Sequence, residues 1–231
     1  MLKVEGLSTG YGRVKVVHGI SLEVAAGSMV AVLGHNGAGK TTLLRGVMGL
    51  LPARRGSVHL AGADITKART NKRVRAGLAY VPQGQQAFGY LTTRENLQLV
   101  ADMHGAAGGQ RLKEALDLFP ALTELLGRRA GLLSGGQRQQ LAIARALITG
   151  PKVMVLDEPT EGIQPSVVAE IQTAIGTMMR ETGIGVLIVE QQVGFALEAA
   201  SHYLVMASGK AIAQGEAGAG ASDGVRAAMA L

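Results

Sequence analysis

The segment Gly34-His35-Asn36-Gly37-Ala38-Gly39-Lys40-Thr41 constrains this chain more than any other stretch. It fills every fixed position of the pattern G-x-x-x-x-G-K-[ST]. Its flanks also fit, with the apolar run Met29-Val30-Ala31-Val32-Leu33 before it and Thr42-Leu43-Leu44-Arg45 opening a helix after it. Glycines let the backbone wrap closely around phosphate with its N–H groups pointing inward, and the helix start adds the positive end of its dipole. In such a loop Lys40 reaches the β- and γ-phosphates of a nucleoside triphosphate, while the Thr41 hydroxyl binds the Mg²⁺ that bridges them. A Gly-rich turn with a chance lysine would not supply strand, helix and every fixed position together.

Two more apolar runs, Val153-Met154-Val155-Leu156 and Val186-Leu187-Ile188-Val189, look like the first. Short Val-rich runs bounded by Gly, Pro or polar residues read as strands buried on both faces of a parallel sheet. Such sheets place ligands beyond the carboxyl ends of their strands, so the three run endings should converge. The second run ends in Asp157 and Glu158. Two carboxylates there are costly unless they face a cation, which makes Asp157 a candidate Mg²⁺ holder and Glu158 the group that polarises an attacking water. The competing reading is an acidic helix-capping pair before Pro159-Thr160. The third run ends in Glu190-Gln191-Gln192. Gln191 is the candidate γ-phosphate sensor, against a surface glutamine entering the helix of Phe195 to Ala199.

Residues 1 to 27 alternate apolar and polar positions around Gly6, Gly10, Gly12 and Gly19, the pattern of short antiparallel strands. Residues 85 to 150 instead carry helical periodicity, with capping-box spacing from Thr92 to Glu95 and continuation over Arg111 to Leu118. The expected organisation is one α/β domain over 1–231. Residues 1–84 and 151–231 form the core with an N-terminal antiparallel β subdomain, and 85–150 form an inserted α-helical subdomain. The Gly/Ala-rich tail from Ala211 is expected to carry no chemistry.

A net charge of +6 admits nucleic acid, an anionic membrane surface or phosphate-bearing small molecules as partners. Arg54-Arg55, the Lys67 to Arg75 run and Arg128-Arg129 read as solvated surface. With three Phe, four Tyr and no Trp, the chain lacks the aromatics on which nucleic-acid bases stack, so no nucleic-acid partner is expected. No apolar stretch approaches the roughly 18 residues a membrane span needs, and Met1-Leu2-Lys3-Val4-Glu5 lacks the apolar core of a signal peptide. A cytoplasmic protein without disulfides is expected, since there are no cysteines.

Leu133-Ser134-Gly135-Gly136-Gln137-Arg138 precedes a helix running to about Ile148 and stopped by Gly150-Pro151. Ser134 and Gln137 have capping-box spacing, and a well-capped helix start is the plain reading. Gly135-Gly136 suggests more, because glycine costs roughly 1 kcal/mol where a helix should begin. Close approach of a ligand to the backbone would explain it, with Arg138 and the Ser134 hydroxyl adding to an anion site.

In this order and spacing, the phosphate loop, Leu-Ser-Gly-Gly-Gln at 133 to 137 and Val-Met-Val-Leu-Asp-Glu-Pro-Thr at 153 to 160 resemble the nucleotide-binding subunit of an ATP-binding cassette (ABC) transporter over nearly the whole length. The resemblance implies a RecA-like phosphate-loop NTPase core, ATP and Mg²⁺ as cofactors, and ATP hydrolysis. It also implies a head-to-tail dimer with a paralogue or a second copy, in which the signature at Ser134, Gly135, Gly136 and Gln137 closes over nucleotide on the opposite phosphate loop. Transmembrane permease subunits, and indirectly a periplasmic solute-binding protein, are the implied partners at the cytoplasmic face of the inner membrane. By the same resemblance Tyr11 stacks on adenine. Gln83 touches Mg²⁺ beside Thr41 and Asp157, and Thr160 to Pro165 crosses the dimer interface. One position departs from the general pattern, where Gln191 replaces the usual histidine; glutamine donates a hydrogen bond but does not titrate. Glu190-Gln191 and Thr160-Glu161-Gly162-Ile163-Gln164-Pro165 resemble importers of branched-chain amino acids and the related urea importers. Soluble ABC ATPases of DNA repair or the ribosome are the remoter alternative. They carry a long coiled coil or two cassettes, and the stretch from Thr42 to Ser134 shows no heptads.

Overall fold

The computed structural model describes residues 1–229. The alternating residues at the N-terminus form two antiparallel strands, β1 (Leu2–Thr9) and β2 (Val17–Val24), which bury Leu2, Val4, Leu7, Val17, Ile20 and Val24. β3 (Met29–Leu33) runs into the phosphate loop, and α1 (Lys40–Val47) leaves it. The chain then returns to the first sheet as β4 (Arg55–Leu60) and β5 (Ala63–Asp64), giving the order β2-β1-β4-β5. α2 (Thr70–Ala76) leads to β6 (Leu78–Val81), a short strand not singled out from the sequence.

Four helices follow: α3 (Thr93–Asp102), α4 (Gly105–Leu118), α5 (Pro120–Glu124) and α6 (Gly135–Ile148). Both expected capping boxes form. Thr92 and Glu95 close the start of α3, and Ser134 and Gln137 that of α6, each satisfying helix-end N–H groups that would otherwise lack partners. The second half alternates strand and helix: β7 (Val153–Asp157), α7 (Pro165–Thr182), β8 (Gly185–Glu190), α8 (Val193–Ala199), β9 (His202–Ala207), β10 (Lys210–Glu216) and α9 (Ser222–Met229).

The second sheet has the order β10-β9-β3-β8-β7-β6, parallel throughout except for the antiparallel β9/β10 pair. The three apolar runs are its neighbouring central strands β3, β8 and β7, and every residue in them is buried. Burial on two faces explains why they read as continuous rather than alternating. Met29, Ala31, Leu33, Met154, Leu156, Val186 and Ile188 pack toward the helical side. Val30, Val32, Val153, Val155, Leu187 and Val189 pack toward the antiparallel sheet and α1. Leu33 pairs with Glu190 and Asp157 with Val189, so all three strands stop at the same sheet edge.

One sequence reading is corrected. Arg73, grouped with the solvated Lys67 to Arg75 run, is 1% exposed. Its guanidinium donates to the carbonyls of Thr66, Ala68, Gly46 and Val47, the last two at the C-terminal end of α1, where a helix dipole favours a cation. Burial lowers its pKa from the ordinary guanidinium value. The tail from Ala211 takes part in the fold: β10 adds an edge strand, and the Met229 carbonyl lies 2.6 Å from Nε2 of His35 in the phosphate loop.

Candidate functional site

The phosphate loop is shaped by backbone that only glycine adopts without strain. Gly39 caps α1 with φ of 99°, left-handed geometry that turns the chain directly from loop into helix. Lys40 is 4% exposed, and its ammonium lies under the loop, donating to the carbonyls of Gly34 at 2.8 Å and His35 at 3.1 Å. It also pairs with Oε1 of Glu158 at 3.1 Å. A cleft of ≈ 390 Å³ opens over this loop, lined by Tyr11, Val16, Asn36, Gly37, Ala38, Gly39, Lys40, Thr41, Thr42, Gln83 and Glu158. Tyr11 is held at its rim by Arg45, which donates to the Tyr11 hydroxyl at 3.0 Å.

Asp157, at the end of β7, is 1% exposed. One carboxylate oxygen accepts from the Thr41 hydroxyl at 3.0 Å and the other from the Tyr80 hydroxyl at 2.8 Å. Burial raises the Asp157 pKa above the ordinary carboxylate value, the two hydroxyls oppose that shift, and neighbouring Glu158 adds to it. The same burial, with Asp157 alongside, raises the Tyr80 pKa. Tyr80 was not singled out from the sequence, although a hydroxyl in a buried strand needs a partner and so gives a usable signal. Thr41, Asp157 and the amide oxygen of Gln83 offer hard oxygen donors of the kind Mg²⁺ takes. Among the described residues no group of three or more His, Cys, Asp or Glu could hold a metal ion. One carboxylate and one hydroxyl 3.0 Å apart fit a cation of this kind, which takes one or two protein oxygens and fills the rest of its shell from phosphate and water.

Glu158 adopts φ of 48°, a strained left-handed conformation for a side chain, and its N–H donates to the Val189 carbonyl at 3.0 Å. The turn brings its carboxylate among Lys40, Gln83 and Gln191 rather than into a helix cap. Gln83 Nε2 donates to it at 3.2 Å and Gln191 Nε2 at 3.5 Å. Gln191 also donates to Oδ1 of Asn36 in the phosphate loop. The side chain therefore bridges two parts of the site, while Gln192 takes the cap position of α8. Replacing Gln191 with alanine is expected to slow ATP turnover several-fold; wild-type rates in a steady-state phosphate-release assay would return Gln191 to the surface reading.

Glu190 carries a structural duty the sequence did not reveal. It is 2% exposed and accepts from the backbone N–H and hydroxyl of Thr160 at 3.1 and 2.7 Å, tying the end of β8 to the turn after Glu158. Burial raises its pKa, against the pull of these hydrogen bonds.

Ser134, Gly135, Gly136 and Gln137 are not among the residues lining the cleft. Ser134 Oγ accepts from the Gln137 N–H at 3.3 Å, and Gln137 Oε1 accepts from the Ser134 N–H at 2.9 Å. Gly136 has an internal reason to be glycine: a Cβ there would lie 2.6 Å from Val167 Cγ1 and 3.3 Å from Ile163 Cγ2. Close packing of α6 on α7 is by itself a reason for glycine here. Gly135 is the freer of the two, a Cβ there meeting only the flexible end of Gln85 at 3.2 Å.

The family profile described as "ABC transporter" matches residues 17–161, which span the phosphate loop, the capped start of α6 and Glu158. The chain belongs to the ABC transporter family. Among curated proteins it is 37% identical over 213 residues to the high-affinity branched-chain amino acid transport ATP-binding protein BraG of Pseudomonas aeruginosa, covering 92% of this chain and 91% of that one. It is 34% identical over 218 residues to the lipopolysaccharide export system ATP-binding protein LptB of Escherichia coli, covering 93% and 90%. Among solved structures, a nucleotide-free ATP-binding cassette from an ABC transporter superposes with a TM-score of 0.88 at 28% identity, covering 98% of this chain and 95% of that one. The ADP conformation of another such cassette gives a TM-score of 0.87 at 29% identity, covering 98% and 94%. This chain is thus an ABC ATPase with the phosphate-loop NTPase fold, and it binds and hydrolyses nucleotide. No helix among the described residues is long and apolar enough to cross a membrane.

Proposed function

We propose that this ABC ATPase energises an importer of branched-chain amino acids, working at the cytoplasmic face of the inner membrane. Its partners are transmembrane permease subunits, a second ATPase subunit packed head to tail and, indirectly, a periplasmic solute-binding protein. The observation that carries the mechanism is the division of the site. Lys40, Thr41, Gln83, Asp157, Glu158 and Gln191 gather around one cleft, while the capped start of α6 lies outside it. An N–H-rich helix start with an exposed serine is an anion site without phosphate in its own chain, so a second subunit is the natural supplier.

In this reading the loop N–H groups and Lys40 grip the triphosphate, and Tyr11 takes the adenine. Thr41, Asp157 and the Gln83 oxygen hold Mg²⁺, which when bound neutralises charge on the β- and γ-phosphates. Glu158 orients and polarises the water, and the Gln191 amide donates to the γ-phosphate. Ser134 to Gln137 of the opposing subunit close the site and exclude solvent.

The solute is supported by similarity to BraG and to LivF of Archaeoglobus fulgidus, the latter a probable branched-chain amino acid transport ATP-binding protein at 36% identity. LptB, named for export, is similar to a comparable degree, so the direction of transport rests on an uptake experiment. Deleting the gene and following uptake of labelled leucine and urea tests the assignment. Leucine uptake is expected to vanish and return with the wild-type gene. Selective loss of urea uptake would move the assignment to a urea importer, and loss of neither would overturn import of both.

A further inference from the structure

The metal-side role given to Gln83 above leaves open what orients its amide, since an exposed glutamine can present oxygen or nitrogen with nearly equal ease. The geometry points to Glu161: we propose that it is a positioning residue that holds the Gln83 amide with its oxygen turned toward the nucleotide-bound cation. This rests on the reading of Gln83 as a metal-side residue.

Gln83 Nε2 lies 2.7 Å from Glu161 Oε2 and 3.2 Å from Glu158 Oε2. Ionised carboxylates only accept, so both contacts require the amide nitrogen, and two carboxylates take up its two hydrogens. The amide orientation therefore follows from charge rather than from a choice between near-equivalent fits. With nitrogen committed, the amide oxygen is the group left for a cation, and Gln83 lines the same cleft as Thr41 and Glu158. Glu158 makes the longer contact, through Oε2, and its other oxygen is taken by Lys40 at 3.1 Å and Gln191 at 3.5 Å. Glu161 makes the shorter, charge-assisted contact and is the stronger determinant.

Glu161 is itself braced from the helical side. Its carbonyl accepts from Gln85 Nε2 at 3.3 Å, and Gln85 Oε1 accepts from Arg138 at 3.4 Å. Arg138 in turn donates to the Leu133 carbonyl at 2.6 Å, beside the capped start of α6. Gln85 holds a positive φ of 51°, so its side chain is aimed by a backbone turn. A hydrogen-bonded line thus runs from Glu158 through Gln83 and Glu161 to the first turn of α6 within one chain.

The test is equilibrium binding of a fluorescent ATP analogue to the full chain, in EDTA and in Mg²⁺, for wild type, Glu161→Ala, Glu161→Gln, Gln83→Ala and the Gln83→Ala/Glu161→Ala double variant. Glu161→Ala is expected to leave affinity in EDTA unchanged and to cut the Mg²⁺-dependent gain by about three- to tenfold, the scale of one lost hydrogen bond to a charged group. Glu161→Gln, which still offers an acceptor oxygen, should fall between wild type and the alanine variant. The double variant should match Gln83→Ala, because Glu161 acts through Gln83. A full Mg²⁺ gain in Glu161→Ala, or additive losses in the double variant, would overturn the proposal while Gln83→Ala still shows the effect. A full gain in Gln83→Ala would remove the underlying reading of Gln83 and the proposal with it. Because Glu161 is exposed, all variants should melt like wild type, which separates a positioning effect from misfolding.

Discussion

Glu158→Gln should lower ATP turnover by about 10²- to 10⁴-fold, the range supplied by a positioned general base, while nucleotide still binds. Glu158 is buried, and its carboxylate is held by Lys40, Gln83 and Gln191. Glutamine has nearly the same shape and retains an acceptor for Lys40, so the substitution removes charge and basicity with little disturbance of packing. The two readouts are steady-state phosphate release and equilibrium nucleotide binding. As an isolated subunit, the same variant should accumulate as an ATP-bound dimer, detectable by size-exclusion chromatography in the presence of ATP. Phosphate release at the wild-type rate would end the assignment of Glu158 as the group that activates water.

Lys40→Met should weaken nucleotide binding by about 10- to 100-fold, the effect of losing charge-assisted hydrogen bonds to phosphate. It should also destabilise the chain when no nucleotide is present, which an ordinary binding residue would not do. The side chains of Lys40 and Glu158 are 4% and 6% exposed, and the lysine is the only salt-bridge partner of Glu158 among the described residues. Removing one member of a buried pair leaves an uncompensated charge and costs about 3–5 kcal/mol, or roughly 6–20 °C in melting temperature for a chain of this size. The combined Lys40→Met/Glu158→Gln variant should recover much of that loss, since no lone charge remains. Differential scanning fluorimetry of the three variants decides it. An unchanged melting temperature for Lys40→Met would mean that the pair contributes nothing to the fold.

Much of the phosphate site was legible because it is local. A strand, a glycine-rich turn and a helix start are consecutive in the chain, and each needs particular residue types for reasons that act within a few positions. The same holds for the capping boxes at Thr92–Glu95 and Ser134–Gln137, both of which form. The three buried runs pointed to central parallel strands because burial on two faces leaves no polar alternation. Tyr80, Glu161 and Arg73 were not legible in this way. Their partners Asp157, Gln83 and the α1 carbonyls lie far off in sequence, and only strand order brings them within hydrogen-bonding distance. The packing need at Gly136 was hidden for a related reason: it depends on Val167 of the neighbouring helix, about thirty positions on along the chain.

By itself the amino-acid order determined the phosphate loop, the three core strands, the two capped helices and the family, since each depends on neighbours along the chain. The tertiary structure alone decided that Glu158 turns back on a strained backbone to meet Lys40, that Gln191 reaches the phosphate loop, and that Gln83 is clasped between two carboxylates. Those are contacts across a sheet edge, and no local preference encodes them. They exist because β3, β8 and β7 end together, and the energy that holds them there is the burial of apolar strands far from the chemistry.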